Sequence, residues 1–409
     1  MICALAGAPI TGEAQVAAPI EPNPNGVMNM VRWTMRAAAL TVAALVAACG
    51  GGDKAPITSV KVMGDSLADS GTFGLKFTVQ GAAATGTGST PIWPEIVNAR
   101  SALPELCPAY RQGSVGFTTA AGCTNYAIGG GRINYAQDAS NPLSIRTQLA
   151  RAATVHGAYT AQDLLLIDGG GNDAADLAGA FLGAQTPAGA AAYRSLLLTL
   201  LPAATVDGLL AQGTAGAAQA GGAYMQALAN AFHDAIKAQA LDKGAQKVVV
   251  LNAPDITLTP RFAAVLAGVA QASGGGAAGQ AAAGQIQGVI RQWVGAFNTQ
   301  LATKFNGVSS VAIVDFFAIF NDQVANPSKY GLTNAKDTAC PVTGVGSDGL
   351  PSYTFPTCTA AVLSANPPTG KTADWWKTHL FSDGFHPTPK GHELMAGEVI
   401  KAITAKGWN

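Results

Sequence analysis

Four short runs of apolar residues punctuate the chain: "SVKVM" ending at Met63, "LLLID" ending at Asp168, "KVVVLN" ending at Asn252 and "VAIVDFF" ending at Phe317. Taken together they are almost continuously apolar. Each therefore reads as a strand covered on both sides. The stretches between them are long and rich in Ala, Leu and Gln, and "YMQALANAFHDAIKAQAL" sets its apolar residues at helical spacing, so this helix should pack on the sheet. Strands alternating with helices in this way predict an α/β domain on a parallel sheet. A less distinct fifth strand is expected just before "TNYAIGG".

Three intervals read as insertions into one domain over residues 59–409. Residues near 178–244 are mostly helix-compatible. Near 263–288, "AGVAQASGGGAAGQAAAGQIQG" predicts a mobile loop ahead of a helix around "VIRQWVGAFNTQLATKF". Residues 325–374 are rich in Pro, Thr, Ser and Gly and read as a long stapled loop, of the kind that borders a site.

Composition narrows the class. The chain has 409 residues, 48% apolar and 12% charged, with 24 basic against 24 acidic residues. It can bury a substantial core but has no long-range field to gather nucleic acid or an acidic membrane surface. Arg32 and Arg36 precede "AAALTVAALVAAC", an apolar run too short to span a bilayer, so residues 28–49 read as an export signal. Val46 to Cys49 resemble the lipobox of bacterial lipoproteins, in which the cysteine thiol carries lipid; the alternative is an ordinary signal peptide with Cys49 incidental. Residues 50–58 would then be a flexible tether, and residues 1–27 an extension upstream of a start at Met28, Met30 or Met35. Losing residues 1–49 removes two charges of each sign and leaves the net charge at zero. The expected location is the bacterial cell envelope or the medium, with membrane attachment only through a lipid on Cys49.

Four cysteines remain in the body of the chain. In an oxidising compartment, local pairing of Cys107 with Cys123 and of Cys340 with Cys358 is the simplest of the three connectivities. Zinc is the rival reading, disfavoured because no pair has C-x-x-C spacing and no histidine is near in sequence.

The candidate chemistry begins at "VKVMGDSLADSGTFG". Ser66 stands at the C-terminal end of the first predicted strand, where open parallel sheets hold ligands, and "LADSG" could begin a helix there. Ser66 could equally be the cap of that helix. A serine nucleophile needs a base and donors for the oxyanion. In "FSDGFHPTPKGHELMAGEVI", Asp383 and His386 are three residues apart, so the carboxylate can hold one ring nitrogen and leave the other for a serine. The segment after Pro387 and Pro389 reads as an amphipathic helix that anchors this loop.

Of the other histidines, His392 falls within that helix and faces solvent or packs, His233 lies on the insertion helix, and His156 has no acidic neighbour; His379 is the reserve candidate. Donors are offered by "IDGGGNDAAD", where Asn172 follows three glycines, and by "TNYAIGGGRIN", where Gly129, Gly130 and Gly131 relieve backbone crowding. Both segments also suit plain turns.

Taken in order, "GDSL", "NYAIGG", "GGND" and "DGFH" resemble the blocks of the GDSL or SGNH hydrolase family over most of residues 59–405. The flanking "GDSLADSG" and "NYAIGGG" resemble the branch with plant-type lipases, thermolabile haemolysins and autotransporter esterases, as does "NAPDITLTP". The chain departs from that branch at Ser70, Gly71 and Thr72, where an asparagine usually follows Asp-Thr-Gly. The resemblance implies a three-layer α/β/α sandwich around a mostly parallel five-stranded sheet of flavodoxin-like type. It implies Ser66 as nucleophile, Asp383 and His386 as its partners, and an oxyanion hole from Ser66, Asn172 and Gly130, with Gly129 the alternative glycine.

The activity so implied is hydrolysis of carboxylic esters, of an acyl lipid or small ester, through an acyl-Ser66 intermediate, with no metal or organic cofactor. A polysaccharide O-acetylesterase and an acyltransferase would use the same residues, and an inactive binding lipoprotein is the non-enzymatic alternative. Trp93, Phe117, Tyr126, Trp375 and Trp376 could line an acyl pocket, stack on sugars or belong to the core.

Overall fold

The computed structural model describes residues 55–82, 89–138 and 140–408. The expected upstream extension, export signal, Cys49 and most of the tether lie outside the described residues. At the tether's end, Ile57 is buried and the Thr58 N–H donates to the Gln162 carbonyl at 3.1 Å.

Ten strands are described: β1 (Ser59–Met63), β2 (Tyr110–Gln112), β3 (Phe117–Thr119), β4 (Asp163–Ile167), β5 (Lys247–Leu251), β6 (Val311–Val314), β7 (Asn334–Thr338), β8 (Gly344–Val345), β9 (Pro351–Ser352) and β10 (His379–Phe381). The helices are α1 (Trp93–Ala99), α2 (Ile145–His156), α3 (Gly171–Gly183), α4 (Pro187–Leu198), α5 (Ala203–Leu210), α6 (Gly213–Gln239), α7 (Pro260–Ala272), α8 (Gly276–Lys304), α9 (Phe316–Ala325), α10 (Ala360–Ala365) and α11 (Pro389–Ala405).

The four predicted strands form one parallel sheet in the order β1-β4-β5-β6. Successive side chains alternate between two cores. Leu165, Ile167, Val248 and Val250 pack on one side with α2, α3, α6 and α8 residues such as Leu149, Leu177, Phe232 and Phe297. Leu164, Leu166, Val249 and Val314 pack on the other with Trp93 of α1, Phe320 of α9 and Val399 of α11. Because helices cover both faces, no face of these strands needs polar residues, which is why they read as continuous apolar runs. The result is the expected three-layer α/β/α sandwich.

The fifth strand does not form. Asn125 makes a single bridge to Val62 at the outer edge of β1, with the Val62 N–H donating to the Thr124 carbonyl and the Tyr126 N–H to the Val62 carbonyl. The Asn125 side chain then bonds the Ala68 carbonyl and the Ala127 N–H, drawing the chain inward toward the glycine run instead of along the edge.

Two of the three insertions also differ from expectation. Residues 178–244 form α3 to α6, and α6 packs on the sheet as its periodicity requires. The Ala, Gly and Gln-rich segment is not a loop: α7 and α8 continue through it as a helical hairpin broken only at residues 273–275. Alanine and glutamine propagate a helix readily, and Thr259 caps α7 with Pro260 in its first turn. Packing against α6, where the Trp293 Nε1–H donates to the Ala218 carbonyl at 2.7 Å, supplies the tertiary support that composition alone does not reveal.

Residues 325–374 carry β7, β8, β9 and α10, and β7 pairs with β10 beside the site. Cys340 is bonded to Cys358 and Cys107 to Cys123, the local pairing expected. Closing loops of 18 and 16 residues stabilises the fold by about 3 kcal/mol each in the chain-entropy account. Among the described residues no helix is long and apolar enough to cross a membrane.

Candidate active site

The chain leaves β1 at Gly64 with no room for a side chain: a Cβ there would lie 1.6 Å from Asp168 Oδ1. Buried Gln148 of α2 grips this residue from both sides, accepting from its N–H at 2.8 Å and donating to its carbonyl at 3.1 Å. Asp65 Oδ1 accepts from the Leu67 N–H, while Asp69, fully buried, accepts from the N–H groups of Gly71, Thr72 and Gly129. These carboxylates satisfy the backbone locally, so "LADSG" forms successive turns and not the expected helix. Ser66 therefore caps nothing. It is held at the C-terminal edge of the sheet by Gln148, Asp65 and Asp69, none of which the sequence reading singled out.

Asp383 and His386 come from a tight loop after β10. Ser382 closes it, its N–H donating to the His386 carbonyl at 2.7 Å. Asp383 Oδ1 accepts from the N–H groups of Phe385 and His386 at 2.8 and 2.7 Å. The His386 ring puts Nδ1 2.9 Å from both Asp383 oxygens and Nε2 2.8 Å from Ser66 Oγ. Burial alone would raise the Asp383 pKa, but the neighbouring imidazole and the two backbone donors outweigh it and hold the carboxyl below its ordinary range. Thr388 caps α11, which anchors the loop, and Phe77 and Phe355 pack on the imidazole with ring centroids 5.0 and 5.6 Å away. Phe355 belongs to the disulfide-stapled segment, and the Cys340 N–H donates to the Ser382 carbonyl at 2.7 Å. The staple thus ends one residue from Asp383.

The glycine run settles into distinct roles. The Gly129 N–H is taken by Asp69 and the Gly131 N–H by the Ile128 carbonyl, whereas the Gly130 N–H, like that of Ser66, has no acceptor among the described residues. Gly130 adopts φ +79°, which favours glycine, and Arg132 fixes its peptide by donating to its carbonyl while paired with Asp176. Asn172 lies in the first turn of α3, its Nδ2 donating to the Gly131 carbonyl at 3.0 Å and weakly to Asp65 Oδ2 at 3.4 Å. Ser66, Gly130, Asn172 and His386 all line one cavity.

Beneath Ser66 two carboxyl groups lie close together and out of water. Asp168 Oδ1 accepts from the Asp65 N–H, while the Trp93 indole N–H lies near the carboxyl without closing a hydrogen bond of good geometry to Oδ2. Burial first, and the neighbouring Asp65 second, push the Asp168 pKa well above the carboxylate range; burial raises Asp65 too, but Leu67, His386 and Arg132 favour its ionised form. Of the two, Asp168 is the one pushed further toward its protonated form. The sign follows from linkage: a carboxyl that keeps its proton in the fold stabilises fully below its unfolded pKa and loses that contribution as pH rises through the folded pKa. Asp168→Asn, isosteric with the neutral acid, is therefore expected to raise Tm relative to wild type at neutral and alkaline pH, with the gain vanishing in acid. Thermal melts across that range check it, and a gain independent of pH would contradict it.

The remaining histidines are occupied elsewhere. His392 packs fully buried with Nδ1 3.4 Å from the Trp93 N–H, and burial pushes its pKa down to about 3. His379 bonds the Trp375 carbonyl, His156 the Tyr126 hydroxyl and His233 its neighbour Asp234. None of Trp93, Phe117, Tyr126, Trp375 and Trp376 lines the cavity at Ser66; Trp93, Tyr126 and Trp376 are core. Its aromatic walls are Phe77, Phe316, Phe320, Phe381 and Phe385. The signal for two of them was present, since "DFFAIF" runs through and beyond the end of the fourth predicted strand, at the ligand-binding edge, and sets Phe316 and Phe320 four apart.

The cavity encloses about 220 Å³. A second, wider groove of about 1210 Å³ opens beside it, shares Asn172 and Phe385, and is walled by α3, α7 and α8. Among the described residues no cluster of His, Cys, Asp and Glu has the makings of a metal site. No curated protein matches the chain significantly. The order of the blocks, the serine at the sheet edge and the histidine reaching it from the far end of the chain accord with the GDSL-like Lipase/Acylhydrolase family, whose model matches residues 60–399; the chain belongs to this family of ester-bond hydrolases.

Proposed function

We propose that the protein is an exported serine ester hydrolase of lipase or carboxylesterase type that works through an acyl-Ser66 intermediate. The observation that carries this reading is the 2.8 Å contact between His386 Nε2 and Ser66 Oγ, with Asp383 on the opposite ring nitrogen. His386 takes the Ser66 proton as Oγ attacks the ester carbonyl, and the electron pair of the C=O bond moves to oxygen. The N–H groups of Ser66 and Gly130, which have no acceptor among the described residues, and the Asn172 amide then stabilise that charge from the wall of the same cavity. Collapse expels the alcohol, protonated by His386; water then attacks the acyl-enzyme by the same steps and releases the acid. The two disulfides favour an oxidising compartment.

The apolar walls of the cavity favour an acyl chain over a sugar. Incubation with a fluorophosphonate probe, followed by mass spectrometry, should place the adduct on Ser66, and the protein should turn over p-nitrophenyl butyrate. A folded protein that gave neither result would overturn the proposal.

Asn172 supports a further prediction. Its weak bond to Asp65 can be exchanged for one to the oxyanion without loss of the bond to Gly131. Asn172→Ala should therefore lower kcat by on the order of 10² to 10³-fold with KM little changed. Steady-state kinetics on the same ester check it; a rise in KM alone would assign Asn172 to ground-state binding.

A further inference from the structure

The cavity at Ser66 runs across the sheet. Its lining takes residues that follow each of the four central strands: Leu67 after β1, Gly169 after β4, Asn252 after β5 and Phe316 after β6. Three inter-strand steps separate β1 from β6, so its inner end lies roughly 14 Å from the nucleophile's strand. There α9 presents Phe316, Phe320 and Gln323, at i, i+4 and i+7, to the same cavity.

Gln323 is out of place among apolar walls. Only 1% of the residue is exposed, and its Nε2 has no hydrogen-bond partner. An unpaired buried amide costs about 1–3 kcal/mol. Of the other polar residues lining the cavity away from the Ser66 end, Asn252 donates to Asp315 and accepts from the Phe317 N–H, and Thr259 donates to the Ile256 carbonyl, so neither has such a deficit. Nε2 can only donate, so what it lacks is an acceptor: a hydroxyl or carbonyl oxygen.

We infer that the natural substrate is the ester of an oxygen-substituted fatty acid, a hydroxy- or oxo-acyl chain that crosses the sheet from Ser66 and places its oxygen against Gln323. This rests on the serine esterase reading above. The acyl part belongs in the apolar cavity because it stays bonded to Ser66 while the alcohol must leave, and the wide groove beside Asn172 gives the alcohol its exit. A plain alkyl chain of equal length would fill the cavity but leave the amide unpaired, so the site discriminates as a buried donor does.

The test compares kcat/KM for p-nitrophenyl decanoate with its mono-oxo analogues, the oxygen stepped along the distal half of the chain, in wild type, Gln323→Leu and Gln323→Met. One analogue should exceed decanoate by about tenfold in wild type, and both variants should abolish or reverse that preference. Both variants should also keep or raise Tm, because they replace an unpaired amide with an apolar side chain. Identical rankings in all three proteins would overturn the inference, as would a preference that follows an oxygen placed in the alcohol, or a large fall in Tm of both variants, which would mean the amide already has a partner. Failure of the esterase reading is a different result: no turnover of any ester and no fluorophosphonate adduct on Ser66.

Discussion

Ser66→Ala is expected to lower kcat on p-nitrophenyl butyrate by on the order of 10⁶-fold, and His386→Ala by a similar factor. The two losses should not add. The hydroxyl is useless unless Nε2, 2.8 Å away, takes its proton, and the imidazole has nothing to activate once the hydroxyl is gone. The double variant should therefore be no slower than either single one. Residual catalysis of about 10³ to 10⁴ over water should survive in all three, because the donors of Ser66, Gly130 and Asn172 do not depend on the nucleophile. Ser66→Ala should also abolish the fluorophosphonate adduct while leaving Tm nearly unchanged, since Oγ holds no structural bond other than that to His386. Wild-type kinetics in Ser66→Ala would show that the contact is a structural hydrogen bond and that the ester is cleaved elsewhere.

The parts of this site that were legible in the sequence are those written in contiguous residues. Strands buried on both faces announce themselves as apolar runs, and the Asp383–His386 spacing fits a carboxylate and an imidazole into one turn. What escaped was set by contacts between distant segments. Nothing in "LADSG" says that Asp65 and Asp69 will take backbone N–H groups for themselves and prevent a helix; that depends on Gly129 arriving beside Asp69. The choice between Gly129 and Gly130 was open for the same reason, because Asp69 occupies one amide and leaves the other free. Asn125 looked like strand, but its side chain diverts the backbone after a single bridge.

The Ala, Gly and Gln-rich segment illustrates a different loss. Low complexity resembles a linker, yet all its glycines but Gly274 and Gly275 lie within helices, and α8 packs its apolar face against α6 and the sheet, so packing decided what composition left ambiguous. The cavity at Ser66 was hidden most completely. Its aromatic residues are spread from Phe77 to Phe385 and share no periodicity outside α9. The tryptophans that drew notice are large enough to be more valuable in cores, where Trp93 and Trp376 are found.

Asp383→Asn should cost about 10⁴-fold in kcat while leaving the fold intact. The asparagine Oδ1 can keep the bonds from the Phe385 and His386 N–H groups that shape the loop, so the loop should persist. Its Nδ2 would then occupy the place of Oδ2, 2.9 Å from His386 Nδ1, and would donate where the wild-type oxygen accepts, while Oδ1, equally close to Nδ1, is already committed to the two backbone N–H groups. That donation favours the tautomer with the proton on Nε2, which turns the imidazole toward Ser66 as a donor instead of a base. The carboxylate cannot be replaced by an amide because the reaction needs an acceptor at this point, and its lowered pKa keeps it one well into acid. The rate of fluorophosphonate labelling should fall in parallel with kcat, since both need the same proton removed, and KM should stay near wild type. A loss of tenfold or less would mean that the backbone and the flanking Phe77 and Phe355 rings suffice to orient His386, and that Asp383 serves the loop more than the reaction.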